Sequence, residues 1–480
     1  MSDMKHLKKW MAVAGICSLA GSALAACGQK TLVEYNQSGG MDVIDDLGGD
    51  SAGQSGSNGE NRTDNNEAGG TDGNQSGGTG TVRTGEWLNT SITDLTANVP
   101  AAIYDYAEAP EMAGVQHFSE QLFAESFGET NPVISPVSAY LALSLAGCGA
   151  RGETAQVFDA VMGGNLQSVS ERLMDALPAD SEGTQVLLAN SAWVDDRMNC
   201  ETPWLSIATN SLDASVYQTR LSTEDAKSGI NGWVEDNTKG LIPNFLSEPL
   251  DDEMRLVLFN TIYFKGKWQS PFEATSTHEW EFTTEQGKSV MVPMMSKYDK
   301  QLSYVNSGVC DGIVLPYRDS DLVFVALKPA EGKTVREMCA SLTMDQIGSM
   351  VDTAQDVQVN LLLPKFEITF DKVLNEDMTH IGLGCAFDKD LADFTGIGLT
   401  VDKEPLYIDQ VRQKAVFILD EEGTEAAAVT EVAMARVTSI MRESNPLEVY
   451  FDKPFLYMIL DKETDVPLFM GIMDDPTQAK

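Results

Sequence analysis

Few residues in this 480-residue chain have the types and spacing that catalysis needs. Its four histidines are His6, His117, His278 and His380. None of them belongs to a His-Glu-x-x-His metal motif, and the chain has no phosphate-binding loop of the Gly-x-x-x-x-Gly-Lys-Ser/Thr type. Acid pairs such as Asp251-Asp252 are common in so acidic a chain, and we interpret them as solvated surface. The sequence therefore predicts a protein that is not an enzyme and needs no metal or cofactor.

One cysteine near the start has a pattern typical of covalent modification. Cys27 directly follows Leu24-Ala25-Ala26, and before these lie basic residues and a short apolar stretch, residues 11–23. The stretch is too short for a comfortable membrane span. The pattern resembles a bacterial lipoprotein signal, in which residues 1–26 are removed and Cys27 carries lipid on its sulfur. An ordinary secretory peptide cleaved near the same place is the alternative. We favour the lipoprotein, which would be exported and anchored to the cell membrane with its domain outside the cytoplasm.

The remaining cysteines suggest neither a disulfide framework nor a zinc site. Apart from Cys17 in the leader, there are five, widely spaced and without a Cys-x-x-Cys motif: Cys148, Cys200, Cys310, Cys339 and Cys385. We expect them to be buried free thiols.

Composition separates a polar region from a large folded domain. Residues 27–105 are rich in Gly, Ser, Asn and Asp, so we expect a disordered tether that follows the lipidated cysteine. Residues 106–480 are long enough for one large domain. The formal net charge of −39 argues against nucleic acid as a partner, because binding to phosphates needs a basic face. The membrane contact would come from the lipid anchor alone.

A long run of small residues is the most unusual feature of the folded part. It spans residues 420–438 and lies between strand-like residues 414–419 and 447–451, although connections within a domain are usually short. Because Ala and Glu are strong helix formers, composition favours an exposed helix. A period of two gives a second interpretation, in which Thr424 begins an uncharged face and Glu425 begins the opposite face. The run is therefore compatible with a loop in one state and a strand in another.

This run also carries a family resemblance. Residues 421–428, Glu-Glu-Gly-Thr-Glu-Ala-Ala-Ala, resemble the hinge of the reactive-centre loop of serpins, and Pro467-Leu468-Phe469-Met470-Gly471 is similar to the closing strand of that family. The resemblance implies the serpin fold, an α+β domain of three mostly antiparallel β-sheets surrounded by helices, with an exposed reactive-centre loop. It assigns the hinge to Glu421, Gly423, Thr424, Glu425, Ala426, Ala427 and Ala428.

Further blocks match the family in its own order. Residues 131–138 resemble the start of the second serpin helix, and residues 256–272 resemble a central strand and its exit. The resemblance places Ser135, Ser138 and Asn260 beneath the main sheet, in the region called the shutter. It places Trp268 at the top of that sheet, where the loop begins to insert. Ser135 is equally interpreted as a helix N-cap before a proline, and Trp268 as a plain core aromatic.

One position departs from the family pattern. Many serpins have a histidine just before the Lys-Ala that opens the strand leading to the loop, and this chain has Gln413. A glutamine can donate and accept, so we expect it to bond Asn260 or Ser135. It cannot titrate, which puts any pH control through the shutter in doubt.

The resemblance implies a suicide-substrate inhibitor of serine proteases, with cysteine proteases as a further target class. A target protease would attack the loop and form a covalent acyl-enzyme, and the cut loop would then insert into the main sheet. We expect the protein to be a monomer before it meets its target. A non-inhibitory serpin that acts as a binding or structural surface protein is the alternative.

Counting from Gly423 along the usual hinge length places the reactive bond between Val437 and Thr438. A valine before the bond suits elastase-like proteases with small apolar pockets. The alternative bond, between Arg436 and Val437, suits trypsin-like proteases, whose pocket pairs a cation.

Overall fold

The computed structural model describes residues 81–104, 106, 110–404, 406–424 and 445–478. These residues belong to one structural unit. Several predicted functional residues lie outside the described residues: Cys27, Glu425, Ala426, Ala427, Ala428, Arg436, Val437 and Thr438. No helix in the described ranges is long and apolar enough to cross a membrane.

Helices cover the faces of the sheets. Within the described residues the α-helices are α1 (Ala113–Glu125), α2 (Pro136–Gly147), α3 (Gly152–Met162), α4 (Leu166–Ala176), α5 (Thr202–Ser211), α6 (Glu224–Asn237), α7 (Val335–Cys339), α8 (Met344–Asp352) and α9 (Asn375–Met378). The helix α2 is buried along its whole length, as expected for a helix that is apolar all round. Pro136 begins it, because a proline at the first helical position loses no hydrogen bond.

The strands fall into three sheets in the described part of the chain. They are β1 (Thr93–Asp94), β2 (Val133–Ile134), β3 (Ala179–Asp180), β4 (Thr184–Asp195), β5 (Met198–Cys200), β6 (Ala214–Thr219), β7 (Leu256–Lys267), β8 (His278–Thr283), β9 (Ser289–Asn306), β10 (Cys310–Pro316), β11 (Leu322–Pro329), β12 (Gln355–Pro364), β13 (Phe366–Val373), β14 (Gly398–Thr400), β15 (Gln410–Leu419), β16 (Gly423–Thr424), β17 (Leu447–Tyr450), β18 (Phe455–Asp461) and β19 (Val466–Met473).

The main sheet has the strand order β1-β6-β4-β7-β16-β15-β13, and β3 pairs with β4. The second sheet has the order β17-β12-β9-β10-β11-β18-β19-β2, and β8 pairs with β9. The third sheet is the pair β14-β5. Most pairings are antiparallel, and the parallel ones join β4 to β6, β7 to β15 and β12 to β17. The predicted α+β class with mostly antiparallel sheets is therefore confirmed.

Apolar residues form two cores on opposite faces of the main sheet's strands. The larger core contains most of α2 together with the inner faces of both large sheets. The smaller one lies under α6 and includes Trp193, Tyr217 and Trp233, all fully buried. Alternate residues of β4 supply the two cores, since successive side chains of a strand point to opposite faces. Trp193 belongs to the smaller core, and its neighbours Ala192 and Val194 belong to the larger one.

The predicted end of the tether at residue 105 is wrong, because residues 81–104 belong to the folded unit. Thr93 and Asp94 form β1 on the edge strand β6. The Trp87 ring packs edge-on against Tyr217, with centroids 5.4 Å apart, and Ile92 is buried in the core under α6. Small and polar residues dominate the average composition of residues 27–105, and that average hides these few apolar residues near its end.

Hydrogen bonds also join residues 81–94 to helix α6. The backbone of Val82 both donates to the Asn237 side chain, at 2.7 Å, and accepts from it, at 3.2 Å. The indole of Trp87 donates to Asp236 at 2.7 Å. Residues 81–94 therefore join α6 to the edge of the main sheet.

The five cysteines of the folded part are free thiols, as predicted. Their expected burial holds for Cys310 alone, since the other four are partly exposed.

Candidate functional site

The candidate site begins where the main sheet is incomplete. Strands β7 and β15 pair in parallel at one end, where residues 410–412 face residues 257–259. At the other end β16 lies between them, with Thr424 opposite Leu419 on one side and Gly266 on the other. The stretch of sheet between these two ends, along residues 260–265 and 413–418, is therefore the place where β16 would extend as a longer strand.

Gly423 enters the sheet because it has no side chain. A Cβ atom there would overlap the carbonyl oxygen of Gly266 on the neighbouring strand. Its backbone is not among those with a positive φ angle. Close approach of two backbones, and not a left-handed conformation, therefore explains glycine at this position.

The turn before β16 is held by its own aspartate. One carboxylate oxygen of Asp420 accepts hydrogen bonds from the backbone N–H groups of Glu422, at 2.9 Å, and Gly423, at 3.1 Å. The backbone N–H of Asp420 donates to the carbonyl of Gly423 at 2.9 Å. Local bonds of this kind are typical of Asp in tight turns. They reverse the chain after β15 and direct Thr424 into the sheet.

Trp268 anchors the turn from the adjacent segment. Its indole N–H donates to the carbonyl of Asp420, and its backbone N–H donates to the carbonyl of Glu422, both at 2.9 Å. The ring stacks on Tyr317 with centroids 4.8 Å apart and an angle of 12° between the planes. Trp268 is thus a buried aromatic that also contacts the hinge turn.

Thr424 faces the interior beside that aromatic pair. Only 2% of the residue is exposed, and its hydroxyl lies 2.5 Å from the hydroxyl of Tyr317. Burial raises the pKa of Tyr317, so the phenol stays protonated and can donate. The first residue of the predicted uncharged face therefore lies on a buried face.

Glu421 points away from this interior and is held by an ion pair. Its carboxylate accepts hydrogen bonds from Lys365 at 2.7 Å and from Thr277 at 2.8 Å. Burial acts to raise the pKa of Glu421, but the bonds from Lys365 and Thr277 outweigh it, and the net shift is downward. The hinge turn is therefore fixed through side chains on one face and through backbone groups on the other.

A second cluster of predicted residues lies beneath the middle of the main sheet. Ser138 on α2 donates to the side-chain oxygen of Asn260 on β7, and Asn260 donates to Asn190 on β4 at 2.6 Å. Asn190 in turn donates to the carbonyl of Leu212 at 2.9 Å. These buried amides link the helix to two strands of the sheet.

Gln413 forms a separate bond to the start of α2. Its amide oxygen accepts from the backbone N–H of Ser135 at 2.9 Å, and its amide nitrogen donates to the carbonyl of Ser135 at 2.8 Å. Of the two expected partners, Ser135 is therefore the one bonded, through its backbone. The Ser135 residue occupies the N-cap position of α2, but its hydroxyl makes no capping bond and is buried without a partner in the described structure.

The sequence and the fold were compared with those of known proteins. The family model described as "Serpin (serine protease inhibitor)" matches residues 113–476, more than half of the chain. The chain belongs to the serpin family. The predicted family and the predicted serpin fold are thereby confirmed.

Two kinds of relative support the assignment. The serpin is 30% identical over 378 residues to alpha-1-antitrypsin-like protein GS55-MS from Ictidomys tridecemlineatus, which covers 77% of this chain and 89% of the relative. Among solved structures it resembles the thermophilic serpin tengpin in the native state, with a TM-score of 0.73, 28% identity, and coverage of 80% of this chain and 100% of that one.

The latent form of tengpin is less similar, with a TM-score of 0.65 at 27% identity, and covers 77% of this chain and 99% of that one. The described fold of this serpin is therefore closer to the native form than to the latent form of that protein.

The structure brings the predicted residues together in two groups. Glu421, Gly423, Thr424 and Trp268 meet at one end of the gap between β7 and β15. Ser135, Ser138, Asn260 and Gln413 meet beneath its middle.

Sequence reasoning missed four side chains in these groups. They are Tyr317, Asn190, Lys365 and Thr277. A signal existed for Asn190, which is the one amide within residues 186–194, a stretch that is apolar except for Asn190 and Ser191. No pattern in the sequence distinguishes Tyr317 or Lys365 from other residues that follow strands.

Proposed function

We propose that this serpin is a suicide-substrate inhibitor of serine proteases, with cysteine proteases as a further target class. The observation that carries the proposal is the position of β16, whose two residues already pair with Gly266 and Lys267 of β7. Adding residues after Thr424 to this strand would fill the place between β7 and β15. Each added residue would pair its backbone N–H and C=O groups with those of the neighbouring strands.

The chemistry comes from the target protease. Its serine oxygen attacks the carbonyl carbon of Val437, and the bond to the nitrogen of Thr438 breaks as that nitrogen takes up the serine proton. An ester then joins the protease to the serpin, and Thr438 becomes the amino terminus of residues 438–480. Insertion of the cut loop would carry the attached protease away from its starting position. The ester would then be trapped before water completes hydrolysis.

The proposal requires a native state that is kinetically trapped. The hinge contacts supply part of that trap, since Trp268, Lys365 and Tyr317 hold residues 420–424 in place. The loop-inserted state would have a lower free energy than the native state, because the inserted strand fills the gap in the main sheet.

The direct test is to melt intact and loop-cleaved protein side by side. The loop should be cut with a metalloprotease, which forms no acyl-enzyme. We expect the cleaved protein to melt at a clearly higher temperature, because the inserted loop completes the sheet. Equal midpoints would reject insertion and favour the non-inhibitory alternative.

We further propose that the protein is a bacterial lipoprotein, exported and anchored through lipid on Cys27. The support is the sequence of residues 1–27 alone, with its basic start, apolar stretch and Leu-Ala-Ala-Cys end. The domain would act as a monomer outside the cytoplasm, on the end of a tether of residues 27–80. Mass spectrometry of the N-terminal peptide from the expressed protein would test this. A diacylglycerol adduct on Cys27 is expected, and an unmodified terminus would contradict it.

A further inference from the structure

One lysine near the hinge is buried in an unusual environment. Lys297 on β9 is only 6% exposed. Its ammonium donates to the carbonyl and, at 3.2 Å, to the hydroxyl of Ser270, and lies 4.5 Å from the centre of the Phe272 ring. Lysines are rarely buried without a carboxylate partner. Among the ion pairs of the described residues, none involves Lys297.

Residues 270–272, which contact Lys297, also contact the hinge turn. Phe272 donates its backbone N–H to the carbonyl of Glu421 at 2.9 Å. Two residues before Ser270, Trp268 bonds to the carbonyls of Asp420 and Glu422. A continuous set of contacts therefore runs from the Lys297 ammonium through residues 268–272 to the hinge turn.

We infer that Lys297 is a positioning residue for the hinge, which acts by fixing residues 270–272 against the turn at residues 420–422. The positioning stands on the contacts just given, whereas its consequence for inhibition rests on the proposed function. A lysine suits this place because its ammonium satisfies a carbonyl and a hydroxyl while attracting the face of an aromatic ring.

The surroundings of Lys297 make its contact with residues 270–272 sensitive to pH. Burial, and then the like charge of Lys300 on the same strand, lower the pKa of Lys297 to about 8. On the neighbouring strand β12 its pairing partner is Leu361, which has no charge. Glu273, next to Phe272, is exposed, and Glu421 is already bonded to Lys365 and Thr277. No neighbouring carboxylate thus offsets the cost of the buried charge.

Linkage fixes the sign of the pH effect. The folded protein holds Lys297 at a pKa of about 8, whereas a state in which residues 270–272 release the lysine to water has the ordinary lysine pKa of 10.5. Above about pH 8 the native lysine becomes neutral, which removes its charge-assisted bonds to Ser270 but also the larger cost of the buried charge. Because the released state binds more protons between these two pKa values, raising the pH over this range favours the closed contact with residues 270–272.

The test is hydrogen exchange of the full-length, uncleaved protein, followed by mass spectrometry of peptides covering residues 268–273 and 420–424. In Lys297→Met we expect protection of these peptides to fall by about tenfold or more, the loss expected for charge-assisted hydrogen bonds. Lys300→Met removes the same charge from an exposed position on the same strand, and should keep the protection of the wild type. Unchanged protection in Lys297→Met would overturn the inference.

The wild-type protein provides a second arm that does not depend on how a variant folds. After correction for intrinsic exchange, its protection over the same peptides should rise between pH 7 and pH 9, a range that brackets the pKa of about 8, because opening exposes the lysine and takes up a proton. A flat profile would also overturn the inference. Inhibition is assayed separately, so a missing protease complex with altered exchange rejects the proposed function alone.

Discussion

The hydroxyl groups of Thr424 and Tyr317 lie 2.5 Å apart in the interior of this serpin, although the two residues are 107 positions apart in the chain. Thr424 is the last described residue before the loop, and Tyr317 follows a strand of the second sheet. This hydrogen bond therefore joins the start of the loop to the second sheet. It shows that the hinge strand already has its first inward side chain in place.

Removing either hydroxyl should weaken the native state. In Tyr317→Phe or Thr424→Val the remaining hydroxyl is buried without its partner, which costs about 1–2 kcal/mol. The double variant should lose less than the sum of the two, because neither group is then left unpaired. Urea unfolding of the four proteins measures this coupling. Tyr298→Phe, at an exposed tyrosine, is the control, and strictly additive losses would show that the bond contributes nothing.

A charge at the same position should convert the inhibitor into a substrate. In Thr424→Arg the guanidinium would have to enter a buried face without a partner, so insertion should slow and the protease should escape by hydrolysis. The stoichiometry of inhibition is expected to rise several-fold. Glu422→Arg introduces the same group at an exposed position two residues earlier, and should stay close to wild type. Equal values for both variants would mean that the buried position of Thr424 in the sheet is not needed for insertion of the loop.

Much of this fold could be predicted because its segments are locally consistent. The apolar run at 256–264 is a buried strand, and the apolar stretch at 139–146 lies in a buried helix. The hinge was assigned by its resemblance to the family, and the period of two placed Thr424 on an uncharged face; in the structure Thr424 is buried. The serpin-like motifs also occur along the chain in the same order as in the family. This order indicated that the segments belong to one fold, which periodicity alone does not show.

Contacts between distant segments could not be read from the sequence in the same way. Tyr317 and Lys365 become hinge contacts only when the two large sheets pack together, and neither position has a local pattern. The start of the domain was missed because Trp87 and Ile92 are few among many polar residues. Their burial depends on a groove beside α6 that is formed by other parts of the chain. The sequence left Asn260 and Ser135 open as partners of Gln413. The backbone position of Ser135 decided between them.

Acid should weaken the hold on the hinge through Glu421. Because the folded pKa of Glu421 is lowered from 4.5, its ion pair stabilises the protein above that value and is lost as the pH falls through the folded pKa. Lys365 is partly exposed, so we expect an effect of about 1 kcal/mol or less. Melting midpoints measured from pH 7 to pH 3 should differ between wild type and Glu421→Gln at neutral pH, and converge in acid.

Glu422→Gln is the matched control for that experiment, since Glu422 is exposed and its hydrogen bonds to Asp420 and Trp268 use its backbone groups. Its midpoints should follow those of the wild type throughout. A difference between wild type and Glu421→Gln that persists unchanged in acid would show that the ion pair is not its cause.

The N-terminal segment should stabilise the domain through Asn237. This side chain is 2% exposed and bonds both backbone groups of Val82, so Asn237→Ala should lower the free energy of unfolding by about 1–2 kcal/mol. Urea unfolding measures the loss, and Asn244→Ala, at an exposed asparagine, is the control. In a chain that begins after residue 96 the same substitution should cost less, because Val82 is absent. An equal cost in both chains would mean that the segment contributes nothing through Asn237.

The central claim, that the loop traps a protease as a covalent ester, is tested by mass spectrometry of the serpin after reaction with an elastase and with trypsin. We predict a complex that survives SDS, with the mass of the protease plus the serpin up to Val437, and a released fragment that begins at Thr438. A fragment beginning at Val437, released only by trypsin along with a stable complex, would move the reactive bond to Arg436. Complete cleavage of the loop by both enzymes without any covalent complex would contradict the account.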